Sequence, residues 1–169
     1  MSILTGLTRK LTAAAVGLLL GLSGCIGFPS EPPPPPPTTT LAVCPTDQTK
    51  STSGLIGLLG GVLTLDGTSI RLSLASLLSP TTIALTIPAS QYMEISATAD
   101  GGSILFNRPV TITIDYSRCS SEIQQKTLSV WHIDENTKAL LENMGGDDNK
   151  STHRITFTTD HLSGYALAF

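Results

Sequence analysis

Phe106-Asn107-Arg108-Pro109-Val110-Thr111-Ile112-Thr113-Ile114-Asp115-Tyr116 decides the fold. From Pro109 onward the residues alternate. Val110, Ile112, Ile114 and Tyr116 point one way, and Thr111, Thr113 and Asp115 point the other. A period of two with β-branched residues is the mark of a strand with one face in a core. Pro109 suits the start of such a strand, where a ladder donor is dispensable.

The same pattern recurs on both sides of this stretch. Gly61–Leu65 and Thr68–Leu74 flank Asp66-Gly67, a dipeptide that favours a tight hairpin turn, with Ile70, Leu72 and Leu74 on the apolar face. Ile83, Leu85 and Ile87 alternate with threonine and alanine up to Pro88. Weaker strands are expected at Tyr92–Thr98 and Ile104–Phe106, the latter after the turn signal Asp100-Gly101-Gly102. Cys119–Gln125 suits one helical turn. Leu128–Ile133 and Lys138–Glu142 form a hairpin around Asp134–Thr137, Gly145–Lys150 is a polar turn, and His153–Thr159 and Gly164–Phe169 close the chain, with Tyr165, Leu167 and Phe169 on one face. Roughly nine short strands with frequent turns predict an all-β antiparallel sandwich.

Upstream of this domain the composition changes. Arg9 and Lys10 precede an apolar run, Leu11–Leu22, that is shorter than the roughly 20 residues a membrane-spanning helix needs. Leu22-Ser23-Gly24-Cys25 follows. This LSGC string resembles the lipobox of bacterial lipoproteins, and the resemblance implies cleavage before Cys25 and acylation of Cys25. Two or more acyl chains give stable anchoring where one gives marginal binding. Ile26, rather than Asp, follows the cysteine, which by the same resemblance implies the outer rather than the inner membrane. Pro32–Pro37 are six consecutive prolines, expected to form a polyproline II spacer of about 19 Å. The expected organisation is a signal peptide over 1–24, a lipidated proline-rich tether over 25–52 and a sandwich over 53–169.

Removing Arg9 and Lys10 leaves 8 basic residues against 13 acidic ones, a net charge of −5. No basic run remains, which argues against a nucleic-acid partner. With Cys25 lipidated, Cys44 and Cys119 are an even pair in an oxidising compartment, so either they form a disulfide or they stand as two free thiols. The disulfide is the expected state.

Several stretches together resemble the ZU-five family, the β-sandwich domain of zonula occludens proteins, netrin receptors and ankyrins. They are GGVLTLDG, a strand ending in Ile-Pro, Tyr92, GGSILFNRPVTITIDY, LSVWHIDENTKALLE and TTDHLSGYALAF, covering about residues 58 to 169. The strand Phe106–Tyr116 and the closing His161-Leu162-Ser163-Gly164-Tyr165 carry most of the likeness. The family usually has Phe where Leu162 stands, and its Ile-Pro-x-Gly-Ala corner has no counterpart around Leu74–Leu78. In some family members the bond before the motif's serine breaks itself. Here the resemblance implies attack by Ser163 on the Leu162 carbonyl, with His161 assisting proton transfer. Other members keep the motif uncut, as a turn with the tyrosine packed at a corner.

Other chemistry finds less support. The three histidines, His132, His153 and His161, lack zinc-ligand spacing, and no Gly-x-Ser-x-Gly elbow exists. GLIGLLGG lacks the lysine of a phosphate loop. Asp147, Asp148 and Asn149 offer too few oxygens for a full calcium site. No cofactor or metal is therefore expected. Trp131, on the face of Ser129 and Ile133, reads either as packing or as a binding aromatic. The expected function is non-enzymatic: a surface or periplasmic lipoprotein that presents a sandwich module to a protein or envelope partner, for adhesion or scaffolding. The alternatives are a self-cleaving domain and a glycan or small-ligand binder.

Overall fold

The computed structural model describes residues 38–102 and 104–169, so the expected signal peptide, Cys25 and the proline run lie outside the described residues. Along the chain the strands are β1 (Val43–Thr46), β2 (Lys50–Ile56), β3 (Gly61–Leu65), β4 (Thr68–Leu72), β5 (Thr81–Ile87), β6 (Ser90–Tyr92), β7 (Glu94–Ala99), β8 (Leu105–Asp115), then a short helix α1 (Ser121–Gln125). After it come β9 (Ser129–Ile133), β10 (Leu140–Gly145), β11 (Asp147–Asn149), β12 (Arg154–His161) and β13 (Gly164–Ala168). Six strands form one sheet in the order β10-β9-β13-β7-β5-β2, and five form the other in the order β11-β12-β8-β4-β3. β1 and β6 make a separate ribbon. The protein is thus all-β and antiparallel, with more strands than the nine expected.

The alternation read from the sequence builds the core. Val110, Ile112 and Ile114 of β8 are fully buried, and Ile155 and Phe157 of β12 lie beside them. Ile83, Leu85, Ile95 and Ala97 of the opposite sheet join the same apolar cluster. Asp66 and Gly67 make the expected hairpin turn with φ values of 47° and 80°. Gly67 is doubly required, because a Cβ there would stand 2.5 Å from the Asp115 carboxylate. Thr68, fully buried, accepts a bond from the Asp115 amide at 3.1 Å and ties the hairpin to the end of β8.

Several expectations need correction. The folded unit begins before residue 53: β1 and the first three residues of β2, Lys50 to Thr52, fall within the segment expected to be tether. Those residues carry few apolar side chains, so their place rests on long-range pairing, β1 with β6 and β2 with β5. Thr40 and Phe169 exchange backbone bonds of 2.9 and 3.0 Å, joining the start of the unit to its end. Leu74 is exposed, because the chain leaves β4 after Leu72 and turns through Ala75 at φ 60°.

Ile104–Phe106 and Pro109–Tyr116 are not separate strands. Leu105–Asp115 is one strand with Pro109 inside it. The register against β12 slips between Val110 and Leu105, so Pro109 sits in an irregular stretch that needs no ladder donor. Tyr92–Thr98 divides into β6 and β7, and the Gly145–Lys150 turn contains the short strand β11. In β13 every residue is buried, on both faces of the sheet, while Phe169 is partly exposed rather than inward. Gly164, Ala166 and Ala168 leave room for neighbours on the outer face; Glu135 lies so close over Gly164 that a Cβ would meet its Cγ at 2.4 Å.

The Cys44–Cys119 disulfide is formed, with Cα atoms 4.8 Å apart, and pins β1 to the segment before α1. Ser120 caps that helix, accepting from the Ile123 amide. Among the described residues no helix is long and apolar enough to cross a membrane.

Candidate functional site

The closing motif lies where the chain passes from one sheet to the other. β12 ends at His161 in the five-stranded sheet, and β13 begins at Gly164 in the six-stranded one, so only Leu162 and Ser163 make the crossing. A crossing this short needs a fixed corner. The Tyr165 hydroxyl supplies it, donating to the His161 carbonyl at 2.8 Å and sharing a 3.1 Å bond with Thr159 Oγ1. Both Tyr165 and Thr159 are buried. Burial raises the Tyr165 hydroxyl to a pKa of about 12. This is the tyrosine-corner device of sandwich domains, a hydroxyl bonded back to backbone a few residues upstream.

The corner gathers three aromatic or imidazole rings. His132 and His161 meet edge-on with centroids 5.2 Å apart, and Tyr165 lies 6.1 Å from the first and 6.2 Å from the second. His132 comes from β9, which pairs with β13 and sets His132 opposite Tyr165. Ser163 Oγ lies 2.7 Å from His132 Nε2.

His161 and Ser163 therefore share one corner but are not hydrogen-bonded to each other. His161 Nδ1 turns to Asp160 at 2.9 Å and Thr159 at 3.4 Å, and its Nε2 is buried without a partner. The bond from His161 lowers the Asp160 carboxyl below its usual range. His132 is the residue that sequence reasoning missed. Its contact with Ser163 depends on β9–β13 pairing, which the residues around His132 do not encode locally. A cleft of about 310 Å³ opens beside Ser163, lined also by Ala97, Thr98, Ala99, Gly102, Glu135 and Leu162. A serine within hydrogen-bond reach of an imidazole can pass its proton there and act as a nucleophile.

Asp148 accepts from the Tyr116 hydroxyl at 2.5 Å and the Leu128 amide at 3.3 Å, and pairs with Lys150 at 2.6 Å, so its oxygens serve the fold. Among the described residues no group of three acidic, histidine or cysteine side chains is arranged to hold a metal. Trp131 is half-buried on the outer face opposite Ala166, with its indole N–H on Ser129 Oγ at 3.1 Å. No protein-family model matches the chain, and no curated protein matches it.

Proposed function

We propose that this chain is a non-enzymatic lipoprotein of the bacterial cell envelope, anchored through acyl chains on Cys25. Its sandwich is the part offered to a protein or envelope partner, and the outer membrane is the anchoring surface. The observation that carries the reading is the LSGC string at Leu22–Cys25, followed by the proline spacer. The Cys44–Cys119 disulfide supports it, since such bonds persist in oxidising compartments outside the cytosol. The bonded Thr40–Phe169 pair supports it further, because a unit closed on itself needs nothing from the tether to fold. Likeness to the ZU-five family remains part of this proposal, and the tyrosine corner is consistent with it.

Intact mass spectrometry of the protein from a membrane fraction tests the anchor. A chain starting at Cys25 with a diacyl or triacyl adduct, gaining two hydrogens on reduction, is the expected species. An unmodified chain starting elsewhere would remove the membrane from the account.

A second reading, self-cleavage between Leu162 and Ser163, draws on the 2.7 Å contact of Ser163 with His132. Ser163 Oγ would give its proton to His132 Nε2 and attack the Leu162 carbonyl carbon. The peptide nitrogen would leave with a proton, and water would hydrolyse the resulting ester. A fragment running from Ser163 to Phe169 in the same mass spectrum, absent from a Ser163→Ala variant, is its signature; a single uncut species ends it.

A further inference from the structure

One end of the sandwich carries an unusual surface. β2 ends there at Ile56, β3 starts at Gly61, β4 ends at Leu72, β5 starts at Thr81 and β8 starts at Leu105. Leu55, Leu58, Leu59, Leu74, Leu78 and Leu105 are all between 51% and 86% exposed. Backbone bonds knit their loops together: the Ala75 amide reaches the Leu58 carbonyl at 2.8 Å, and the Asn107 amide reaches the Ser76 carbonyl at 2.9 Å. Scattered exposed leucines need no explanation, but six on one knitted pole do.

The surroundings narrow the occupant. No charged residue lies between Lys50 and Asp66, and none between Arg71 and Glu94. The β7–β8 connection adds Asp100, the start of β8 adds Arg108, and the end of β12 adds Asp160 beside His161, which pairs with Leu105. Loops without ions leave water at little desolvation cost. All six exposed side chains are leucine. Protein-binding hot spots favour Trp, Tyr and Arg, and leucine is under-represented among them. None of these leucines lines the cleft beside Ser163, and four of the six, Leu58, Leu59, Leu74 and Leu78, sit in loops between strands. Apolar side chains on loop tips suit a deformable surface.

Chain length allows one. The pole lies at the opposite end from Thr40, since Thr40 pairs with Phe169 whereas the pole adjoins the start of β13 through β7. β8, the longest strand, has 11 residues and so spans about 36 Å. The fifteen residues 26–40 reach about 50 Å at full extension. That reach lets the pole return to the membrane holding Cys25.

We infer that the leucine pole is a lipid-contacting surface that inserts its tips into the headgroup–acyl boundary of a bilayer. The inference rests on the anchored reading for its location, but the binding itself does not need the anchor. The test uses residues 25–169 with Cys25→Ser, which contain the whole closed unit and lack the acyl site. It is mixed with vesicles of phosphatidylcholine alone, and of phosphatidylcholine with phosphatidylglycerol, and floated on a density gradient. The protein is expected to float with both, in high salt as in low. Leu58→Ser with Leu59→Ser, and separately Leu78→Ser with Leu105→Ser, should each lower the bound-to-free ratio by about tenfold or more. Circular dichroism and an intact disulfide establish that each variant is folded.

A parent protein that stays at the bottom of the gradient overturns the inference, as does equal flotation of parent and folded variants. A concentration-dependent dimer that the same substitutions dissolve would assign the pole to a second copy, and also overturns it. Loss of the acyl adduct in the mass spectrum would sink the anchored reading and leave this result standing.

Discussion

Ser163 Oγ and His132 Nε2 stand 2.7 Å apart although 31 positions separate them in the chain. The bond joins the inter-sheet corner to β9, the strand beside it. Neutral hydrogen bonds of this kind contribute about 1 kcal/mol net, and a partner left stranded costs about 1–3 kcal/mol. His132→Ala also removes the ring packed on His161 and Tyr165. It is therefore expected to lower stability by about 2 kcal/mol, against about 1 kcal/mol for Ser163→Ala. Urea titrations of the two variants check the order; a Ser163→Ala effect larger than that of His132→Ala would contradict it.

Tyr165 gives the corner a dependence on alkaline pH. Its ordinary pKa of 10.0 rises to about 12 because burial disfavours the phenolate. The folded state therefore holds its proton where the unfolded chain releases it. That contribution is complete below pH 10 and is lost as pH climbs from 10 to 12. The loss across this window is about 2 kcal/mol. Tyr116, raised by burial and by its bond to Asp148, weakens the fold in the same direction. Tyr165→Phe should be less stable than the parent near neutrality by about 1–3 kcal/mol, since it strands Thr159 and the His161 carbonyl. The gap between the two should shrink above pH 10. A gap that stays constant to pH 12 would contradict the assignment.

The disulfide acts on the unfolded chain. Its two cysteines are 75 positions apart, and closing a loop of that size is worth about 4 kcal/mol in the chain-entropy account. Cys44→Ser with Cys119→Ser is expected to lower stability by about 2–5 kcal/mol, with hydrogen exchange rising most in β1 and around α1. Chemical reduction of the parent should reproduce the shift. Equal stability of the oxidised and reduced protein would show that β1 holds its place through backbone bonds alone.

Legibility in the sequence followed the physical reach of each signal. The β3–β4 hairpin was legible because Asp66-Gly67 acts within four residues, and β5 and β8 because alternation is local. β1 and β2 were not, since Val43–Thr46 carries a proline and Lys50–Ile56 is mostly polar with a glycine, and their strand state comes from partners 25 to 49 positions away. Leu74 misled for the opposite reason: its period fits β4, but the backbone turns first. At the corner, His161 and Ser163 were legible as a motif. His132 was not, because no local pattern specifies which strands pair across a sheet.

Glu94 offers the last test. It is buried, sits on β7 beside β13, and accepts from Lys138 Nζ at 2.6 Å, while its Oε1 has no partner. This buried carboxylate has one direct cationic partner, the partly exposed Lys138, with Arg118 acting on it at longer range. Lys138→Met removes the cation and strands the charge, at an expected cost of about 3 kcal/mol. Glu94→Gln alone strands less, because a neutral amide is cheaper to bury than a carboxylate. Its expected cost is about 1 kcal/mol. The double variant Glu94→Gln, Lys138→Met should therefore be more stable than Lys138→Met alone. Thermal melts of the three variants decide the matter. A double variant less stable than Lys138→Met would mean that the two side chains contribute separately, Glu94 through β7 packing and Lys138 through the turn it occupies at φ 61°.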